Sequence, residues 1–300
     1  MSAYASSYRP DGRTAFLMKI RALSLVKNEG DIIAHNLRAA CAWCDAIYVF
    51  DNGSTDGTWE IVRGLVGELP AIVPFKQDSK PFCDSLRQQI FERFRNQAQR
   101  GDWWCILDAD EFYVDDPRAF LKRVPDMYRS VWPQLYTYLF TEADAALPVD
   151  APAPERLRHY VLGEYSEPRF VRHEHGMRDF PPKQLHPIYP ERIRMRHYPY
   201  RSPKQIELRL ATRREAMKNG EFAHELRSNW ATSAIASELD PNALPERWEE
   251  RLATCDECWL DRGSERLLPA LPWRSPGLPA SGPEPIKSLA TQIKELLLGS

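Results

Sequence analysis

Apolar and polar positions along the first third of the chain fall into blocks with two alternating periods. Ile20 to Val26 is a short apolar run, read as a strand. Asp31 to Trp43 then carries Ile32, Ile33, Leu37 and Ala40 at helical spacing. Ala46 to Phe50 repeats the strand pattern with Asp51 at its tip, and Asn52-Gly53 turns the chain. Thr58 to Val66 returns to helical spacing, and Ala71 to Phe75 predicts a third strand. Ser85 to Gln99 reads as an amphipathic helix rich in Arg and Gln, stopped by Gly101; Trp103 to Leu107 is a fourth strand running into Asp108. Such alternation predicts an α/β fold on a mainly parallel, doubly wound sheet flanked by helices. Right-handed crossovers place the strand C-terminal ends on one edge, where such sheets bind ligands. Asp51 and Asp108 are therefore expected at that edge.

The second half is less regular. Asp144 to Pro154 reads as an Ala/Pro/Asp-rich connector, and Glu155 to His197 is dense in Arg, His, Pro and aromatic residues. Ser202 to Lys218 predicts a basic helix with Pro203 at its first position. Pro269 to Pro285 has linker composition, and Pro285 to Leu298 predicts a short amphipathic helix through Ile286, Leu289, Ile293, Leu296 and Leu297. That apolar face suits packing on the main domain or on a second copy in a homodimer. The sharper alternative is a weak membrane-surface contact, for which only Lys287 and Lys294 supply basic charge.

Composition narrows the function. The 300 residues suffice for one large domain, or one domain with an appendage. The 40 basic and 42 acidic side chains nearly cancel, so no basic field exists to attract nucleic acid. Met1 to Thr14 lacks an apolar signal core and no stretch is apolar enough to span a bilayer, which points to a cytoplasmic protein. Cys41 and Cys44, with Cys255 and Cys258, form two CxxC pairs, a zinc-site spacing. The first pair lies in an apolar helical pattern, where buried thiols are common.

The segment from Trp103 to Phe112 carries the most chemistry. On an extended chain Asp108 and Asp110 share a face at the end of a buried strand. Two such carboxylates repel unless a cation intervenes, and a hard divalent ion with oxygen ligands fits. The alternative is an acidic turn capping a helix near Pro117. Asp51 ends the second strand, where a carboxylate can accept from a base or ribose; Ser54, Thr55 and Asp56 are cap-type residues. Lys27, Asn28 and Glu29 follow the first strand at the same edge.

Together, Val26-Lys-Asn-Glu29, Asp51-Asn-Gly-Ser-Thr-Asp-Gly-Thr58 and Leu107-Asp-Ala-Asp-Glu-Phe112 resemble the glycosyltransferase family 2 pattern. The likeness is to the bacterial branch whose metal motif continues into Glu-Phe. It covers about residues 19 to 125, with an echo at His197-Tyr-Pro-Tyr-Arg-Ser202. The resemblance implies a GT-A fold, with Glu29 and Asp51 around the base and ribose. It implies that Asp108 faces the ribose or metal-bound water, and that Asp108 and Asp110, with His197, hold Mn2+ or Mg2+. Asn28 arrives at the same nucleotide site, and Arg201 is the phosphate partner.

The implied division is 15–130 for nucleotide-sugar binding, 131–220 for the acceptor and site closure, and 221–300 as a helical extension. The implied reaction moves a sugar from a nucleotide-sugar donor to a saccharide or lipid-linked acceptor, with inversion of the anomeric centre, at or near the inner membrane face. Such chemistry needs a carboxylate near the acceptor hydroxyl. Glu164, Glu167, Glu174 and Asp179 lie in the right half, and Asp179 is taken as the base. Alternatives are a nucleotidyltransferase acting on a sugar phosphate, or an inactive GT-A nucleotide-binding module.

Overall fold

The computed structural model describes residues 17–79, 85–149, 151–163, 167–217, 253–255, 258–263 and 266–270. The amphipathic segment 285–298 and most of the Pro-rich stretch before it lie outside these residues.

Five strands and four helices come first: β1 (Ile20–Val26), α1 (Ile33–Ala40), β2 (Ala46–Asp51), α2 (Thr58–Leu65), β3 (Ile72–Gln77), α3 (Ser85–Phe94), β4 (Trp103–Ile106), β5 (Glu111–Tyr113) and α4 (Pro117–Lys122). The rest is β6 (Ser130–Val131), β7 (Pro133–Tyr138), α5 (Glu142–Ala145), α6 (Ala153–Arg156), β8 (His159–Leu162), β9 (Phe170–Arg172), β10 (Ile193–His197), α7 (Pro203–Met217) and β11 (Trp259–Leu260).

The protein is mixed α/β, with a mainly parallel central sheet. Its six strands run in the order β3-β2-β1-β4-β9-β6. β1 to β4 are mutually parallel where they pair, and β9 returns antiparallel beside β4. A second sheet, in the order β11-β8-β7-β10-β5, is built largely from the irregular half.

β1 is buried along its whole length because apolar residues cover both faces of the sheet. On one face Ile33, Leu37 and Ala40 of α1 pack over Ile20, Ala22 and Val49. On the other, Leu86, Ile90 and Phe91 of α3 pack over Leu23, Tyr48 and Trp104. The two periods in the sequence thus become two helix-covered faces. Asp144 departs from the connector reading: with Thr141 it forms a reciprocal capping box that starts α5. A further turn, α6, lies where the connector was expected to end. The helix near Pro117 is capped by Asp116 rather than by the Asp108–Asp110 segment.

The four CxxC cysteines do not converge on a metal: among the described residues no three His, Cys, Asp or Glu side chains are placed to share an ion. No helix among them is long and apolar enough to cross a membrane.

A buried hydrogen bond gives the fold a pH signature. The Trp104 indole N–H donates to His173 Nδ1 at 3.0 Å, which requires that nitrogen to be unprotonated. Burial lowers the His173 pKa, against the pull of Asp102. The unfolded chain takes up this proton as pH falls through about 6.5 and the folded chain does not. Stability present at neutral pH is therefore lost as pH falls through that value, down to the folded pKa. Urea denaturation at about pH 7.5 and 5.5 should show a larger loss for the wild type than for His173→Gln, which keeps an acceptor but does not titrate. Equal losses would contradict the assignment.

Candidate functional site

The chain leaves the first sheet at Ile106 and enters the second at Glu111. The crossing is a turn in which the Glu111 N–H donates to the Asp108 carbonyl at 3.3 Å. The backbone is thus not extended here, and the expected shared face for Asp108 and Asp110 does not form. Each carboxylate instead has its own set of cations.

Asp110 is 4% exposed and meets residues from the second half. β5 and β10 pair antiparallel with His197 opposite Glu111, and the Tyr198 N–H donates to the Asp110 carbonyl at 2.8 Å. This register brings His197 Nε2 to 3.6 Å from Asp110 Oδ2. Arg209 Nη1 of α7 lies 3.3 Å from the same oxygen and Arg201 Nη1 3.9 Å from it. Burial alone would raise the Asp110 pKa; His197, Arg209 and Arg201 outweigh it and hold the carboxyl well below the usual range.

Asp108 is partly exposed and sits between two other guanidinium groups. Arg87 of α3 donates to Oδ1 at 2.5 Å, and Arg169 to Oδ2 at 3.2 Å. Arg169 is itself gripped by Glu111, through Nε at 2.8 Å and Nη2 at 2.6 Å. Burial pushes the Glu111 carboxyl up to about 7, with Arg169 pulling it back.

Glu29 and Arg201 form a third group. Arg201, 1% exposed, donates to Glu29 Oε2 at 2.7 Å, to both oxygens of Asp31 at 2.8 and 2.9 Å, and to the Tyr198 carbonyl at 2.9 Å. It thus ties the loop after β1 to the loop before α7. Burial raises Glu29 to about 7; Arg201 opposes this, while Asp110 adds to it. A cavity of about 290 Å³ opens beside Asp31 and Arg201, with Val149, Pro152 and Arg156 on its walls.

Asn28 adopts a left-handed backbone, φ 57°, and its side chain serves the scaffold. Its Oδ1 accepts from the Thr55 N–H at 2.8 Å, and its Nδ2 donates to Thr212 Oγ1 on α7 at 3.4 Å. Asp51 is fully buried at the end of β2. Its Oδ1 accepts from the Ser54 N–H at 2.8 Å and from Gln77 Nε2 at 3.2 Å, while its Oδ2 has no hydrogen-bond partner. A buried carboxylate oxygen left unmatched is costly and calls for a donor from a ligand or water. Asp179 is exposed on the β9–β10 connection, whose neighbouring residues are held to α3 by Gln88.

Arg87, Arg169 and Arg209 were not legible as site residues in the sequence. Arg87 is a charge next to Leu86 on a helix face otherwise turned to the sheet, and Arg209 lies in the basic run of α7. Only the tertiary register distinguishes them from solvated arginines.

Asp110 and His197 are two donors of the kind a divalent cation takes, although no third His, Cys, Asp or Glu among the described residues is placed to join them and Arg209 lies 3.3 Å from the same carboxylate oxygen. Asp110 Oδ2 and His197 Nε2 are too far apart for a hydrogen bond, yet 3.6 Å is close to the span of two donors on one ion at roughly 2.1 Å each. A carboxylate and an imidazole leave the remaining positions to phosphate oxygens and water.

Fold and site together define a mixed α/β protein whose sheet edge gathers carboxylate, imidazole and guanidinium groups. No protein-family model matches the chain. An uncharacterized protein of Mycobacterium bovis and one of Mycobacterium tuberculosis are each 31% identical over 115 residues, 36% of this chain and 28% of theirs. The match thus spans little more than a quarter of those relatives' length.

Among solved structures, a mannosyltransferase from Pyrobaculum calidifontis in complex with GDP-Man and Mn2+ aligns with a TM-score of 0.32 at 15% identity, over 47% of this chain and 39% of that one. A protein assigned as a glucose-1-phosphate thymidylyltransferase from Bacillus anthracis, in complex with sucrose, aligns with a TM-score of 0.30 at 10% identity, over 51% and 68%.

Proposed function

We propose that the protein is a cation-dependent glycosyltransferase that takes a nucleotide-sugar donor and a saccharide or glycolipid acceptor. The observation that carries this reading is the convergence of Asp110 with His197 from opposite halves of the chain, at the sheet edge where Asp51 offers an unmatched oxygen. On this reading Asp110 and His197 hold Mn2+ or Mg2+. When bound, the ion supplies positive charge against that developing on the leaving nucleoside diphosphate. Asp51 accepts from the base or ribose. Arg209, beside Asp110, and the N-terminus of α7 add positive potential for the diphosphate. Arg201, occupied by Glu29, Asp31 and Tyr198, orients this wall rather than serving as the phosphate partner. Asp108, held by Arg87 and Arg169, faces the ribose side. Asp179 remains the proposed base for the acceptor hydroxyl.

The test is a thermal-shift screen of nucleoside diphosphates with and without Mn2+, followed by product analysis. Release of nucleoside diphosphate from a nucleotide-sugar supports sugar transfer. Release of pyrophosphate from a nucleoside triphosphate and a sugar phosphate would replace it with nucleotidyl transfer through the same carboxylates. No nucleotide-dependent stabilisation under either condition would overturn both.

Asp51→Ala separates the nucleotide from the metal. Besides the Ser54 and Gln77 bonds it removes the one charge-assisted hydrogen bond proposed for the nucleotide, and is expected to weaken nucleoside diphosphate binding about tenfold or more. Mn2+ affinity measured without nucleotide should stay near the wild-type value. Calorimetric titrations in which both affinities fall together would reassign Asp51 to the scaffold.

A further inference from the structure

The end of β10 opposite His197 borders a second cavity. It encloses about 560 Å³, a volume typical of sites for small organic ligands, and Arg123, Arg192 and Arg194 are on its walls with Asp115 and Glu191. From Arg192 to His197 the chain is extended over roughly 16 Å, which separates this cavity from the carboxylate cluster.

Two of the three guanidinium groups are already neutralised. Arg194 donates to Asp115 through Nε at 3.0 Å and Nη2 at 2.6 Å. Arg123 donates to Glu191 at 2.9 Å while lying 4.2 Å over the Phe120 ring. Arg192 pairs with no carboxylate among the described residues. Its Nη1 reaches the neutral Gln134 Oε1 at 3.4 Å, and its Nε is buried with no acceptor. Burial lowers its pKa, and no neighbouring charge opposes that. A half-buried cation without a counter-charge is unfavourable, and a guanidinium fork suits a planar carboxylate or a phosphate.

We propose that this cavity binds an organic monoanion whose carboxylate or phosphodiester pairs with Arg192. The charge follows from the count above: Asp115 and Glu191 cancel two guanidinium groups and leave one. A dianion would exceed that surplus and face both acids. Pro190 and Pro269, on the same walls, offer an apolar surface for a sugar-sized ring. The inference is independent of the reaction proposed for the other edge.

The experiment titrates the full chain, labelled at arginine nitrogens, with glucuronate, diethyl phosphate and glucose. The Arg192 Nε–H resonance is assigned by its absence from Arg192→Gln. A saturable shift of that resonance with glucuronate assigns a carboxylate ligand, and one with diethyl phosphate assigns a phosphodiester; glucose should give none. Affinity for the same anions, read by titration calorimetry because the variants lack the Arg192 resonance, should fall about tenfold or more in Arg192→Gln and less in Arg192→Lys, which keeps the charge without the fork. Absence of a saturable response to both anions, equal binding of glucose, or unchanged affinity in either variant would overturn the proposal.

Discussion

Replacing Asp110 by Asn is expected to remove cation-dependent nucleotide binding while leaving the protein folded. The carboxylate is buried among His197, Arg201 and Arg209, and their charge keeps it ionised far into acid. Its folded pKa is depressed, so it contributes stability that is present above the unfolded value near 3.9 and lost as pH falls through the folded one. Asparagine gives up that contribution at neutral pH, and a modest fall in Tm should accompany the substitution. Collapse is not expected, because Arg201 keeps Glu29 and Asp31. Removing even an indirect partner of a metal ligand costs 10–100-fold in affinity, so loss of the proposed ligand itself should weaken Mn2+-dependent nucleoside diphosphate binding by more than about 100-fold. Titration calorimetry with and without Mn2+ measures this. Retained Mn2+ dependence in the variant would show that the ion is held elsewhere.

Arg169→Met should produce the largest loss of stability. It strips Glu111, 2% exposed, of its bidentate partner and takes one of the two guanidinium groups from Asp108. Breaking a buried ion pair from one side costs about 3–5 kcal/mol, because the other charge stays buried and unmatched. Glu111 is already pushed up to about 7 with Arg169 in place, and without it the carboxyl must rise further. The folded variant then keeps a proton that the unfolded chain releases above a pH of about 4.3. Its stability therefore falls as pH rises from there, and the deficit in urea denaturation should be larger at about pH 8 than at about pH 5. The double variant Arg169→Met with Glu111→Gln should recover much of the loss at high pH. A deficit below about 1 kcal/mol, or one independent of pH, would mean that Arg169 is dispensable to the fold.

Those residues mark the boundary of what the sequence discloses. The first four strands and their helices were legible because a sheet covered on both faces writes long apolar runs, and the helices between them write a different period. Helix α7 was legible for a local reason, the Ser202-Pro203 start. The outer strands of both sheets were not: β6 and β9 at the edge of the first, and β5 and β11 at the two edges of the second, are two or three residues long, too short for any period to emerge. The site divides in the same way. Asp51, Asp108 and Asp110 stand out because each follows a readable strand, and His197 because a resemblance drew attention to it. Arg87 on α3, Arg169 just before β9 and Arg209 on α7 come from separate parts of the chain, and no local pattern separates them from the other arginines. Even the Asp108–Asp110 pair was misread in geometry, since the hydrogen bond from the Glu111 N–H turns a chain that Leu107 had presented as extended.

The antiparallel ladder between β5 and β10 has an evolutionary implication. It fixes Asp110 and His197 through backbone hydrogen bonds that do not depend on side-chain identity. Within the connection from β9 to β10, the mostly exposed stretch 181–184 can therefore lengthen, shorten or drift in sequence without altering the spacing of those two groups. Natural variation and laboratory recombination should both accumulate in that stretch while the rest of the scaffold is inherited unchanged.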